Sequence, residues 1–343
     1  MSLQKPESPK TTKRGSYAIS LVCFNAEQYV QSCMNSLISQ SFCPSECIAY
    51  DNHSDDRTLE MIRSYDRLMQ IIESENNIGF GCAHNEVIGK TNSDYILVTN
   101  QDLVLTRDYC EKLTLFLDEH PDVASVTGKI LRVLCLEAIP QNLGIDACGI
   151  SISQCQRASL THSGNPTNTC NEVHEVFGVP ATCALYRRSA LEDCAIDMNG
   201  KREYFDGDFF MYKEDTDLAY RFRLRGWKSY CIPDAIAYHI RTAKSSLMVF
   251  NRGSEMLKYW SYRNQWYLLI KNLPSSLFWR YGLQIVLFEF AKFFYSLVLE
   301  PHSIKAYGDI CKKYARMIQK RRFVQSHMTV SVSDMAQWMN TLI

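Results

Sequence analysis

The sequence has no surplus of charge of either sign. Lys and Arg total 37, and so do Asp and Glu, so no global field draws in nucleic acid, and no nucleic-acid partner is expected. No apolar run follows the basic start: MSLQKPESPKTTKRGS is polar throughout and does not read as a signal peptide. No paired metal knuckle is present. Cys43 and Cys47 have three residues between them and Cys148 and Cys155 have six; neither spacing repeats, which argues against a zinc site. Free thiols without a secretion signal point to a reducing cytoplasm. Internal repeats are absent, and so is a G-x-G-x-x-G dinucleotide fingerprint.

What is present is a regular alternation from Tyr17 onward. YAISLVCFN, ECIAYDN, MQIIES and DYILVTNQD have the apolar density and branching of buried strands. Between and after them, AEQYVQSCMNSLISQ, DRTLEMIRSY, GCAHNEVIGK and RDYCEKLTLFLDEH have helical spacing. This order predicts an α/β fold with a parallel or mostly parallel sheet and helices on both faces. Residues 135–178 are rich in Gly, Cys, Asn, Ser and Thr and predict loops and short hairpins. GVPATCALYRRSALE then predicts a strand and a helix. The expected layout is a disordered leader at 1–16, an α/β domain at 17–250 and a helical region at 251–343.

In the tail, two helical segments end at Pro274 and Pro301. On the second, Trp279, Leu283, Val286, Phe290, Phe293 and Leu297 share an apolar arc, while Arg280, Glu289 and Lys292 argue against a membrane span. The basic run KKYARMIQKRR follows. An amphipathic helix beside such a run suits an anionic membrane surface; a helical bundle packing its stripe on the domain fits the same pattern equally well.

Ligands of such sheets bind beyond the carboxyl ends of the strands. Three strands end in polar runs: Phe24–Asn25, Asp51–Asn52 and Asn100-Gln101-Asp102. Asp102 beside a neutral amide suits one hard divalent cation, Mg²⁺ or Mn²⁺, shared with a diphosphate; a plain turn uses the same residues. Asp51 can accept a hydrogen bond from the N3–H of a uracil or thymine ring, and Asp55 or Asp56 can cap the next helix. Gly79 and Gly81, flanking Phe80 and followed by Asn85, permit close backbone approach to a ligand. His239 ends a strand-like run and can bind metal as a neutral imidazole. Glu214, Asp215 and Asp217 crowd together behind Phe209, Phe210 and Tyr212. A helix dipole explains acids at a helix start, but not their aromatic surroundings. A carboxylate in a partly dry pocket beside a like charge suits a general base.

Taken in order, VCFN, AYDNHSDDRT, NNIGFGCAHN, VTNQD, GVPATCALYRR, FFMYKEDTDLAYRFRLRGW and PDAIAYH resemble the inverting family 2 glycosyltransferases of the GT-A fold, in the branch with bacterial rhamnosyltransferases. The likeness spans about residues 17–240, and YRNQWYLLIKNLP is similar to that branch's helical tails. The resemblance implies a GT-A (Rossmann-like) sheet and transfer of one sugar, with rhamnose as one candidate, from a dTDP- or UDP-sugar to a glycan or lipid-linked acceptor. The setting it implies is bacterial surface-polysaccharide synthesis at the inner membrane face. It gives Asp51 to the pyrimidine, Asp102 to the metal with Asn100 in the first place of an Asp-x-Asp motif, and His239 to the metal or diphosphate. Asp215 becomes the base, with Glu214 beside it at the acceptor, and Phe24, Asn25, Asn52, Gly79, Phe80, Asn85 and Gln101 join the donor contacts. Two departures stand out: Asn100 replaces an Asp, and His53 and Arg57 replace small residues. Asp217 and Arg221, Arg223 and Arg225 are expected on the helix face. A processive synthase would carry Gln-x-x-Arg-Trp, which RNQWY does not match; the alternative of another class is a non-catalytic nucleotide-sugar-binding or scaffold module.

Overall fold

The computed structural model describes residues 14–135, 143–198, 200–241 and 252–339. Of the expected leader, only 14–16 fall within these, and they are held: Arg14 bonds Glu111 at 3.2 Å and the Ser16 amide bonds Asp94 at 2.8 Å. The junction expected at 250/251 lies outside the described residues.

The first half follows the predicted alternation: β1 (Tyr17–Cys23), α1 (Val30–Ile38), β2 (Glu46–Asp51), α2 (Thr58–Arg63), β3 (Gln70–Glu73), α3 (Phe80–Ile88) and β4 (Tyr95–Thr99). Then come β5 (Leu103–Leu105), α4 (Tyr109–Glu119) and β6 (Val123–Val133). The stretch expected as loops and hairpins holds β7 (Gly144–Ala147), β8 (Ile150–Ile152), β9 (Ala158–Leu160) and β10 (His174–Glu175). After it come β11 (Cys183–Arg187), α5 (Arg188–Cys194), β12 (Ile196–Met198), β13 (Lys201–Glu203), α6 (Glu214–Leu224) and β14 (Lys228–Ile240).

The main sheet has ten strands, in the order β10-β14-β6-β11-β4-β1-β2-β3, with β5 and β7 at its margins. Strands β3, β2, β1 and β4 run parallel to one another, as expected. Beyond β4 the parallel order is interrupted at β11, and β14 then pairs with β6 in parallel again. Strand β11 runs antiparallel to both β4 and β6, because the chain enters it from a long excursion rather than a helical crossover. The sheet is therefore mixed. Its two faces are covered separately, as alternation in β4 shows: Tyr95 and Leu97 pack with α1 and α4, while Ile96 and Val98 pack with α5 and α6.

The tail forms α7 (Arg252–Asn272), α8 (Ser275–Leu299), α9 (Ile304–Ser326) and α10 (Val332–Ala336). Pro274 and Pro301 separate the helices as predicted. Two expectations for the tail are corrected. The bundle reading packs the arc of α8 on the domain, but Trp279 is 84% and Leu283 75% exposed, and the packed face is Leu277, Tyr281 and Ile285. The basic run of α9 does not form an outward cationic patch. Lys320 is buried among Glu203, Asp206 and Asp208, and Lys313 and Arg316 pair with Asp208. Despite Arg280, Glu289 and Lys292, α8 is long and apolar enough to cross a membrane.

Candidate active site

The cleft of about 440 Å³ beyond β4 is walled by Asn100, Thr182, Tyr212, Asp215 and Arg241. One wall is the start of α6. The loop before it is strained: Phe210, Tyr212 and Lys213 have φ of 65°, 68° and 70°, a left-handed conformation that costs of order 1–3 kcal/mol per residue. Helix α7 offsets that cost. Arg263 donates to the carbonyls of Asp208 and Phe209, and Asn264 to those of Phe209, Met211 and Tyr212. Phe210 stacks on Trp260, with ring centroids 4.9 Å apart. The aromatic pair Phe209–Phe210 thus anchors the loop, while Tyr212 reaches the cleft.

Gly79 completes this clamp. Its φ is +84°, and a Cβ there would stand 2.6 Å from the Phe210 carbonyl, which accepts the Phe80 amide at 2.7 Å. Only glycine fits such an approach without strain.

The clamp presents two acids. Asp215 is half-buried, and its carboxylate accepts from the Thr216 amide at 2.6 Å and the Ala181 amide at 3.4 Å. Burial raises its pKa above the ordinary carboxyl range, against the pull of these amides. Glu214 is buried, its Oε2 has no partner among the described residues, and burial followed by the Asp215 charge pushes it up to about 8. With its value near 8, Glu214 keeps its proton at neutral pH. Beside them Lys213 donates to Gln265 at 2.7 Å, and burial pulls it down to about 8.

A second acid, Asp102, follows Asn100 by two residues but does not itself line the cleft. Asp102 Oδ2 is 3.1 Å from His239 Nε2, whose Nδ1 is 2.8 Å from Asp146. Asp146 also binds Arg241, at 3.1 Å, and Arg132. Burial lowers the His239 pKa, yet the hydrogen bonds with Asp102 and Asp146 outweigh it and the net shift is upward. Asp102 Oδ1 is buried without a partner among the described residues. An orphaned carboxylate oxygen next to an imidazole nitrogen is a donor set that fits one divalent cation, and the nitrogen favours Mn²⁺ over Mg²⁺.

The expected donor residues divide by what their side chains touch. Asp51 is buried and fixed by Ser54, at 2.5 Å from the hydroxyl and 3.1 Å from the amide. Gln101 brackets Phe24, accepting from its amide at 2.6 Å and donating to its carbonyl at 2.8 Å. Asn25, at φ 50°, accepts the Asp55 amide. Asn52 bonds Asn77 and the Ile78 amide, and so shapes the turn before Gly79. Asn100 lines the cleft. The Asn85 amide is committed to the backbone of Phe205, at 2.7 and 2.9 Å, which makes it a brace rather than a cleft contact. Of the pair expected to cap α2, Asp56 accepts the Thr58 amide at 2.9 Å. Arg221, Arg223 and Arg225 are all tied to protein acceptors.

Several residues of the site carried no readable signal. Asp146 lies in the irregular stretch, and Arg263 and Asn264 lie beyond the motifs. Arg241 had a faint one, a cation just after His239; its Nε is buried without a partner.

Comparison with known proteins bears on the fold and the family. Poly-beta-1,6-N-acetyl-D-glucosamine synthase of Staphylococcus epidermidis is 24% identical over 220 residues, covering 64% of this chain and 48% of that protein. The chain thus spans about half the length of that curated relative. Among solved structures, S. aureus TarS 1-349 in complex with UDP-GlcNAc aligns with a TM-score of 0.54 and 17% identity over 91% of this chain and 90% of that one. GalNAc-T7 with UDP, GalNAc and Mn²⁺ aligns at 0.55 and 13%, over 74% and 51%. These likenesses show the fold. The model of glycosyl transferase family 2 matches residues 19–195, more than half of the chain, and with the sheet and cleft in place the chain belongs to glycosyl transferase family 2.

Proposed function

We propose that the chain transfers a single sugar, with inversion, from a UDP- or dTDP-sugar to a hydroxyl of a glycan or lipid-linked acceptor in bacterial surface-polysaccharide synthesis. Rhamnose is one candidate sugar. The observation that carries this reading is Asp215, held on the wall of the cleft that Asn100 also lines, with no cation bonded to its carboxylate among the described residues. Asp215 takes the proton of the acceptor hydroxyl as its oxygen bonds the anomeric carbon. The bond from that carbon to the diphosphate oxygen breaks on the opposite face. Glu214, still protonated, donates a hydrogen bond to the acceptor. Asp102 and His239 would hold a divalent cation, which supplies charge neutralisation for the leaving diphosphate. Arg241 adds a second positive group at the cleft wall. Asp51 meets the N3–H of the pyrimidine, and each of its oxygens keeps a lone pair beyond those used by Ser54.

The UDP-GlcNAc of the TarS complex and the UDP and Mn²⁺ of the GalNAc-T7 structure support a uridine donor and Mn²⁺. The exposed arc of α8 supports a peripheral seat on the membrane. Phe278, Trp279, Leu283, Val286, Phe290 and Leu297 all face solvent, as in helices that lie in the plane of a lipid surface.

The test is thermal stabilisation by UDP, dTDP, GDP and CDP, each with and without Mn²⁺ or Mg²⁺. A shift with UDP or dTDP that needs metal supports the reading and names the nucleotide. No shift with any of the four removes the donor site.

A further inference from the structure

The cysteines are all free among the described residues, and three of them converge from separate parts of the chain. Cys148 follows β7, Cys170 precedes β10 and Cys231 lies in β14. All three are buried, and their Sγ atoms lie within 4.8 Å of one another. A second set overlaps the first: a ring nitrogen each of His162 and His174 lies within 4.8 Å of Cys170 Sγ and of the other.

His174 is the register partner of Cys231 across the antiparallel β10–β14 pair, so both side chains leave the same face of the sheet. Its Nδ1 is 2.9 Å from the Glu172 carbonyl. That contact makes Nδ1 the N–H and leaves the lone pair on Nε2. Nε2 is buried and has no partner among the described residues. A carbonyl-oriented imidazole with its other nitrogen left unpartnered is how metal-ligating histidines are held, and of the three thiols Cys170 is the one that His174 lies within 4.8 Å of in these sets.

We infer that Cys148, Cys170, Cys231 and His174 bind one Zn²⁺ as a Cys3His centre. Soft thiolates with an imidazole select zinc, whereas the oxygen-rich set at Asp102 selects Mg²⁺ or Mn²⁺. On binding, Zn²⁺ replaces the three thiol protons, which pass to solvent. The surface cleft lined by His162, Cys170 and His174 gives the ion its approach. Sequence spacing argued against zinc because the ligands come from separate elements, and only sheet pairing brings them together.

The centre has a structural consequence. The excursion from β7 to β10 supplies the β8–β9 hairpin, and Ile150, Ser159 and Leu160 of that hairpin line the active cleft. A metal tying Cys148 and Cys170 to β14 fixes that wall. The inference stands apart from the transferase reading, since none of its ligands belongs to the proposed catalytic set.

The experiment is metal analysis of the full chain purified under reducing conditions, followed by exchange with Co²⁺. About one zinc per chain is expected, retained in Asp102→Ala and lost in Cys170→Ser and in Cys231→Ser. The cobalt form is expected to show thiolate-to-metal charge transfer and the intense d–d bands of a tetrahedral site. If the serine variants do not fold, the wild-type cobalt spectrum decides alone. A folded, reduced chain that keeps no zinc after loading and washing overturns the inference. So does a cobalt spectrum without thiolate charge transfer, or a disulfide between any two of the three cysteines.

Discussion

Two groups of buried acids lie within a short stretch of the chain, and they are treated in opposite ways. Asp206 is fully buried and touched by two lysines, Lys271 and Lys320, that are themselves fully buried. Asp208 meets Lys313, Arg316 and Lys320, and Asp217 meets Arg221 and Lys271. For Asp206 and Asp208 burial alone would raise the pKa, yet the cations overrule it, and Asp208 falls to about 2. Glu214 and Asp215 sit just before Asp217 on the same helix and have no such partner among the described residues; both are raised. A buried acid that is paired braces the fold. One left unpaired costs stability and persists where chemistry uses it.

The largest expected effect comes from removing the charge of the unpaired acid. Asp215→Asn should cut turnover by about 10²–10⁴-fold and leave the melting temperature unchanged or higher. Steady-state rates and a melt on the same sample check both halves. Breaking a paired acid should do the reverse. Asp206→Asn leaves two buried lysines short of a partner and should cost about 3–5 kcal/mol, read as a lower urea midpoint. Its folded fraction should still turn over.

Acidity separates the groups a second time. Asp206 and Asp208 are depressed in the folded chain, so their contribution is present above the ordinary carboxyl range and is lost as pH falls through their folded values. Glu214 is raised, so the folded chain keeps a proton that the unfolded chain has released. Its penalty grows as pH rises from the ordinary carboxyl range to about 8. Glu214→Gln should flatten stability across that window. Since glutamine is a permanently neutral donor, the same variant should also remove a fall in turnover near pH 8. Urea midpoints and rates across pH check these expectations, and an unchanged alkaline limb would take Glu214 out of the acceptor site.

Asp102→Ala should leave the melt of the free chain nearly unaltered while abolishing the metal-dependent part of the nucleotide shift. The smallest effect on either group is expected from Trp279→Ser with Leu283→Ser on α8. Turnover on a soluble acceptor and the melt should both hold, while sedimentation with phosphatidylglycerol vesicles drops. Retained sedimentation would remove the membrane seat.

Much of the first half was legible because its signals are local. Alternating apolar residues marked β1 to β4, and the polar residues at their ends, Asp51 and Asn100 to Asp102, fell on one edge of the sheet as a parallel order requires. Glu214, Asp215 and His239 could be picked out as a crowded pair and a strand-end imidazole. The antiparallel insertion of β11 could not, since strand direction depends on a connection without periodicity. Nor could the brace at Asn85, the hold of Arg263 and Asn264 on the loop before α6, or the link from His239 through Asp146 to Arg241. Each is a contact between segments far apart in the chain.

By itself the sequence determined most strands and helices of the first half, because periodicity and turn chemistry act over a few residues. It also placed the acids that matter at strand and helix ends. Only the tertiary structure decided which acids were given cations and which were left without, which face of α8 stays in solvent, and which cysteines meet. Charge state and ligation depend on the neighbours that folding supplies, and those neighbours come from parts of the chain that no local pattern connects.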